Sequence, residues 1–425
     1  MTPRIGGRPA TSAEWIEVLS PYDGSPVARV PALGPDHVAS AVAAAGAALH
    51  RDDFPWHRRA EVLERAAGLL AERAGEFAVT IARESAHPIR TARAGATQAA
   101  ATLRHAASEA RHLTGDMFPL TGLFAAPPDR SATARPAAPG GKVVGRFASA
   151  PNGGEGGRFA PGPGGGVEER LGFTLRRPAG VVAVVSSGRF PLVAHVLGPA
   201  IAAGCPVVLK PSDRTPVTAI RLAELLVEAG LPGDWISVVT GPAAETPLLL
   251  HPEPAVLFFN GAAGAGPRLR EAAAGKRLLL AFEAPLPVIV GADADPGRVV
   301  TALRGDISLY VDQALHDRLV AELHDAIAAR RTGDPLDEAT DAIPAVAVKP
   351  FAGLTEAIRL ANEANEADES GPGTQAAIFT SDLGAALLAA RELRFAAVLV
   401  NEVPTFPLPV SVADLTDLKT VVVTP

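Results

Sequence analysis

The chain has 425 residues, a formal net charge of −7, 48% hydrophobic and 20% charged residues, enough for two or three domains with substantial cores. That composition excludes a disordered or fibrous chain, and an acidic balance without a Lys/Arg-rich run argues against a nucleic-acid partner. A single cysteine, Cys205, excludes an intramolecular disulfide and any cysteine-based metal site.

The opening "MTPRIGGRPATSAEW" lacks an apolar leader-like stretch, and no apolar run reaches membrane-spanning length, so a cytoplasmic protein without a membrane partner is expected. "YDGSPVARVPA" (22–32) carries a turn followed by an alternating, strand-like run. From residue 57, Val62, Leu63, Ala66, Leu69, Leu70 and Phe77 recur near helical spacing, with Arg and Glu on the other face. A second alanine-rich helix is expected at about 94–113. From Ala125 to Glu169 the chain is dominated by Gly, Pro, Ala and Arg. Such a segment buries too little to offset its ordering entropy and is expected to be a disordered loop.

Residues 178–282 alternate apolar runs with helical segments. The runs are "GVVAVV" (180–185), "PVVLK" (206–210), "WISVV" (235–239), "AVLFF" (255–259) and "RLLLAF" (277–282). Strands without polar alternation, separated by helices, imply a parallel sheet covered on both faces. "TAIRLAELLVEAGLPG" is a helix that stops at Gly230. Further on, 312–331 and 354–366 read as helices, and 376–380, 396–403 and 418–423 as strands.

Cys205 stands five residues before Lys210 and has two readings: an activated nucleophile, or a small apolar residue entering a buried strand. Free cysteine is among the most buried residue types, so packing is the expectation. The ten histidines show no metal-ligand spacing. His195 is expected to pack on the helix after "RFP", and no metal is assigned.

The run "VVLKPSDRTPVTAIRLAELLVEAGLPGDWISVVTGP" resembles the cofactor domain of the aldehyde dehydrogenase superfamily. "TLRRPAGVVAVV", "FFNGAAGAG", "TGDPLDEATD", "EAIRLANEAN" and "AAIFTSDLGAALLAARELRFAAVLVNE" extend the likeness to roughly 14–122 and 170–425. The resemblance implies an α/β fold with a Rossmann-type parallel NAD(P)-binding domain (14–118 and 178–282). It also implies a truncated α/β catalytic-type domain (283–402) and a small β oligomerisation arm (119–177 and 403–425) carrying the Gly/Pro-rich insertion at 125–169. It further implies NAD or NADP as cofactor, and assembly into a homo-oligomer or a hetero-oligomer with an active homologue.

The family reaction needs a thiolate nucleophile, an oxyanion-binding asparagine and a carboxylate base. By resemblance, Arg189 occupies the asparagine position, Ala281 the base position and Asp306 the nucleophile position. Glu283 lies two residues beyond Ala281, on the same strand face but about 6–7 Å further along. The motif that grips the nicotinamide ribose is missing after "TDAIPAVAVKPF". On the adenosine side, Lys210 and Asp213 match the pair that holds the ribose, with Gly241, Gly261, Ala262 and Gly266 lining the cofactor path. These substitutions imply a homologue that does not run the family reaction. The alternatives are an oxidoreductase using Glu283, Asp306 or Arg189 in another arrangement, and a purely structural subunit.

Overall fold

The computed structural model describes residues 1–51, 53–119, 171–186, 190–262, 269–271, 273, 275–283, 285–303, 305–366, 373–403 and 410–423. The loop expected at 125–169 lies outside them. The chain divides into two compact units, Met1–Leu113 with Arg177–Asp417, and Thr114–Arg176 with Leu418–Pro425.

The first unit opens on two antiparallel hairpins, β1 (Arg4–Ile5) with β2 (Arg8–Pro9) and β3 (Trp15–Leu19) with β4 (Pro26–Pro31). Helices α1 (Pro35–Leu49), α2 (Trp56–Glu72), α3 (Ala74–Ser85) and α4 (Ile89–Arg111) follow. The helical run read from residue 57 is thus two helices, broken at Arg73, whose backbone leaves the helical range. The next helix begins at Ile89 rather than near 94, directly after Pro88 at its cap. The second unit is built on a three-stranded sheet in the order β17-β6-β5, with β5 at Met117–Pro119, β6 at Leu171–Pro178 and β17 at Thr416–Val423.

The five apolar runs between 178 and 282 become β7 (Val182–Ser186), β8 (Val207–Lys210), β9 (Ile236–Val238), β10 (Val256–Ala262) and β11 (Arg277–Glu283). They form one parallel sheet in the order β11-β10-β7-β8-β9. Alternate residues face two cores. Val182, Val184, Val207 and Leu209 pack with α2–α4, α5 (Phe190–Ala203) and α6 (Pro216–Glu228). Val181, Ala183, Val185 and Val208 pack instead with α1 and the short α7 (Glu245–Leu250). Cover on both faces explains why these strands carry no polar alternation.

A second parallel sheet in the same unit has the order β14-β13-β12-β15-β16. Its strands are β12 (Leu286–Val290), β13 (Ile307–Asp312), β14 (Val346–Phe351), β15 (Gly373–Phe379) and β16 (Phe395–Val400). Helices Gln313–Ala328 and Leu354–Glu366 pack on opposite faces of it. The whole is an α/β fold with two parallel sheets.

Helix α6 ends as its sequence implies. Gly230, just past the cap residue Ala229, has φ +107°, and its N–H reaches Val227 O while Leu231 N–H reaches Leu226 O. A left-handed residue closing both bonds is a conformation that glycine adopts without steric cost.

The start of α6 is capped from another helix. Glu84, on α3, is only 3% exposed. Its Oε2 accepts from Val217 N–H (2.9 Å), and its Oε1 accepts from Thr218 N–H (3.1 Å) and the Thr218 hydroxyl. These are among the N–H groups that a helix start leaves unpaired, and Thr215 at the cap position makes no capping bond of its own.

Burial pushes the Glu84 carboxyl up to about 7, against hydrogen bonds from Thr218 and Val217 and the Arg221 charge, all of which favour ionisation. The folded value therefore lies above the free-carboxyl value of 4.5, and the folded protein holds this proton more tightly than the unfolded chain. That stabilisation is complete below about pH 4.5 and is lost as pH rises through about 7. Glu84→Gln removes the titration. In denaturant unfolding from about pH 5 to about pH 8, the wild type is expected to lose about 2–3 kcal/mol more than the variant. Parallel pH profiles would show that Glu84 does not titrate in this range.

Candidate functional site

The order β11-β10-β7-β8-β9 means that the chain winds one way from β7 to β9 and then returns to the other side of β7. In such sheets ligands bind outside the carboxyl ends of the strands, at the point where the winding reverses, here between β7 and β10. Ser186, the last residue of β7, is in register with Asn260 of β10. The Ser186 hydroxyl is buried and has no hydrogen-bond partner among the described residues.

Lys210 ends β8 at the same edge, in register with Val185. Its side chain is only 4% exposed, and its ammonium lies 3.2 Å from Asp213 Oδ2 and 3.4 Å from Glu245 Oε2. Two carboxylates compensate a cation that could not be buried alone. The other oxygen of Asp213, Oδ1, accepts from Gly241 N–H at 3.2 Å. Gly241 has φ +106°, and a Cβ there would meet Leu33 N at 3.0 Å. Glycine is required at the turn that aims this N–H. The structure therefore brings Lys210, Asp213 and Gly241 together and adds Glu245.

Gly261 and Ala262 are the last two residues of β10, and Gly266 lies outside the described residues. Ala281, on β11, is in register with Asn260 and contributes its carbonyl to the Asn260 amide at 2.7 Å. Its methyl packs against the main core. Glu283 ends β11 opposite Ala262. Asp306 is exposed just before β13, and its carbonyl accepts from Leu286 N–H at the start of β12 (2.9 Å). Arg189 lies outside the described residues.

Cys205 is fully buried in the main core, and its thiol donates to Leu415 O at 3.2 Å. Burial pushes the thiol up to about 11, with backbone groups of Gly180 and Ala179 and the Arg59 and Arg277 charges opposing. It is a packing residue. His195 is likewise 2% exposed, with Nδ1 3.3 Å from the Thr102 hydroxyl, and burial lowers it to about 4. Among the described residues no group of His, Cys, Asp and Glu is arranged to hold a metal ion.

A sequence model described as the aldehyde dehydrogenase family matches residues 8–364. The chain belongs to that family. It is 29% identical to a 3-sulfolactaldehyde dehydrogenase of Priestia aryabhattai, over 95% of this chain and 90% of that protein. The alignment runs over 469 residues, more than this chain holds, so the relative carries segments that this chain lacks. It is 28% identical to the NADP(+) succinate-semialdehyde dehydrogenase of Escherichia coli, over 82% of this chain and 67% of that protein. The crystal structure of an indole-3-acetaldehyde dehydrogenase in apo form matches at TM-score 0.79 and 25% identity, covering 100% of this chain and 96% of that one.

Within this aldehyde dehydrogenase fold, sequence reasoning missed Glu245 and Asn260. Glu245 was detectable as an acidic residue opening a helix four positions after Gly241. Asn260 was detectable as a polar residue ending the apolar run "AVLFF". Both signals are weak, because only the folded strands show what each one faces.

The burial of Cys205 predicts its reactivity. Native protein held with iodoacetamide near pH 8 should carry no thiol adduct by mass spectrometry, while protein unfolded in guanidinium should be labelled completely. Native labelling at the rate of a free thiol would place the sulfur at the surface.

Proposed function

We propose that this chain is an aldehyde dehydrogenase homologue that binds NAD or NADP through the adenosine half and does not carry out the family's thiol chemistry. The carrying observation is Cys205: it is the chain's only cysteine, fully buried, and hydrogen-bonded to a backbone carbonyl. No other side chain can form the thiohemiacetal from which a hydride would leave, because an aspartate at position 306 is a far weaker nucleophile toward an aldehyde. The base position is a core-packed methyl, that of Ala281.

The residues at the carboxyl edge of the first sheet fit the adenosine ribose. Asp213 and Glu245 supply hydroxyl acceptors, Lys210 holds both in place, and the Ser186 hydroxyl lies at the winding reversal. A bound dinucleotide would supply the redox-active ring. What this chain supplies is the grip on the ribose.

The role is then binding or assembly, in a homo-oligomer or in a hetero-oligomer with an active homologue, in the cytoplasm. The second unit supports assembly. Its sheet leaves Met117, Leu175, Leu418, Val422 and Val423 between 46% and 73% exposed, an apolar load that a second chain would cover. No helix among the described residues is long and apolar enough to cross a membrane.

Calorimetry with NAD and NADP, followed by an aldehyde-dependent reduction assay, tests the proposal: binding without turnover is expected. Turnover well above background that survives thiol alkylation would overturn it, and no binding of either dinucleotide would remove the cofactor role. Lys210→Met leaves Asp213 and Glu245 facing each other without a cation, and dinucleotide affinity should fall by about tenfold or more in the same titration.

A further inference from the structure

Helix Leu383–Glu392 carries more apolar surface than its own packing uses. Its Ala386 and Ala389 are buried, and Ala389 joins Leu393, at the cap, in the core over one face of the second sheet. On its outer side Leu383, Leu387 and Leu388 stand 71%, 51% and 40% exposed. A helix that is apolar all round belongs inside a protein or an assembly. The neighbouring helix Leu354–Glu366 shows the ordinary case, with the Arg359–Glu363 ion pair (2.7 Å) on its outer side. We propose that helix Leu383–Glu392 is the centre of a two-fold interface with a second copy of this chain, the two helices lying antiparallel across each other. This surface is separate from the three-stranded sheet of the second unit.

The charges at the helix ends select a second copy as the occupant. At the amino end stand Asp382, the cap residue, and Asp293, whose carboxylate accepts from the N–H groups of Ser381 and Asp382. In the last turn stands Arg391, exposed and without an ion pair among the described residues, and Arg394 follows just beyond. Glu392 lines the groove beside Leu388 instead. An antiparallel copy sets an acidic end against a basic end twice over, whereas a parallel copy sets like charge against like.

Shape agrees with charge. Between this helix and Leu354–Glu366 runs a groove of about 430 Å³, lined by Ile358, Asn362, Leu388 and Glu392 among others. Asn362 fixes its width: Nδ2 donates to Glu392 O and Oδ1 accepts from Arg394 N–H, each at 2.9 Å. The leucine ridge and the groove therefore lie side by side on one face, and a two-fold rotation lays each copy's ridge along the other's groove. Such an isologous contact closes on itself. Leu387 is in the middle of the helix, beside the axis.

Analytical ultracentrifugation of the full chain tests the proposal. Leu387→Glu should halve the mass of the associated wild type, and an unchanged unfolding midpoint is expected because Leu387 is half exposed. Arg391→Glu should weaken association by about fivefold or more at low salt and by little in about 1 M salt, where exposed charges are screened. The contact itself is read by Leu387→Cys, which a short bismaleimide should join into a covalent dimer on denaturing electrophoresis. The wild type, whose only thiol is buried, should stay a single chain under the same reagent. So should Asp317→Cys, on helix Gln313–Ala328 at the opposite face of the sheet. A wild type that is monomeric at about 100 µM would overturn the proposal. Association unmoved by Leu387→Glu or by Arg391→Glu would do the same, as would Leu387→Cys joining no better than Asp317→Cys.

Discussion

A carboxylate buried as deeply as Glu84 must be given donors, and the donors it takes are the first N–H groups of α6. That one requirement fixes where α6 begins relative to α3. The turn between β8 and α6 then has both ends held, at Lys210 in the sheet and at Val217 on the cap. Asp213 lies in the middle of this short span, and so its carboxylate can meet both the Lys210 ammonium and the Gly241 N–H. Arg221, one turn further along α6, donates to the Thr80 hydroxyl on α3 at 2.5 Å and ties the same two helices again. The edge that carries Lys210 and Asp213 is thus positioned from behind, by α3 and α6.

The opposite half of the same sheet shows what a strand between two cores requires of its residues. Along β11, Leu278 and Leu280 pack into one core, while Leu279 and Ala281 pack into the other. Such a strand needs only an apolar residue at each position, and Ala281 meets that need. The register with β10 is unaffected, because backbone groups make it. Position and chemistry are separable on this scaffold, which is why family membership and fold do not by themselves carry an activity.

Much of the first parallel sheet was legible in the sequence, because strands buried on both faces appear as uninterrupted apolar runs whatever surrounds them. The Gly230 stop was legible for a similar reason: its conformation is local. The break at Arg73 was not, since Ala74 and its neighbours continue a helical pattern and only the backbone turn at Arg73 interrupts it. The edge of the site divides the same way. Lys210 and Asp213 are three residues apart and fall in one recognisable run, so resemblance found them. Glu245 reaches Lys210 from the far side of β9, across 35 positions of sequence, and Glu84 reaches α6 across 133. Contacts of that span are made by topology and leave no periodic trace in the chain.

The direction of β8 decides between Cys205 and Lys210. In a parallel sheet every strand presents its carboxyl end to the same edge, and Lys210 is the last residue of β8. Cys205 precedes the strand and is held at its amino end by the Leu415 carbonyl. At about 3.3 Å per residue, five residues of near-extended chain separate the two by roughly 16 Å. A thiol at that end reaches the ligand edge only if the strand leaves the sheet, and Val207, Val208 and Leu209 between them are at most 1% exposed, packed into cores on both faces. Removing three such side chains from water-free packing costs about 1.5–3 kcal/mol each, on top of the ladder bonds to β7 and β9. The proximity of cysteine to lysine in the sequence is therefore a separation in the fold, and the two residues serve opposite ends of one strand: packing at the start, and the ion cluster with Asp213 and Glu245 at the finish.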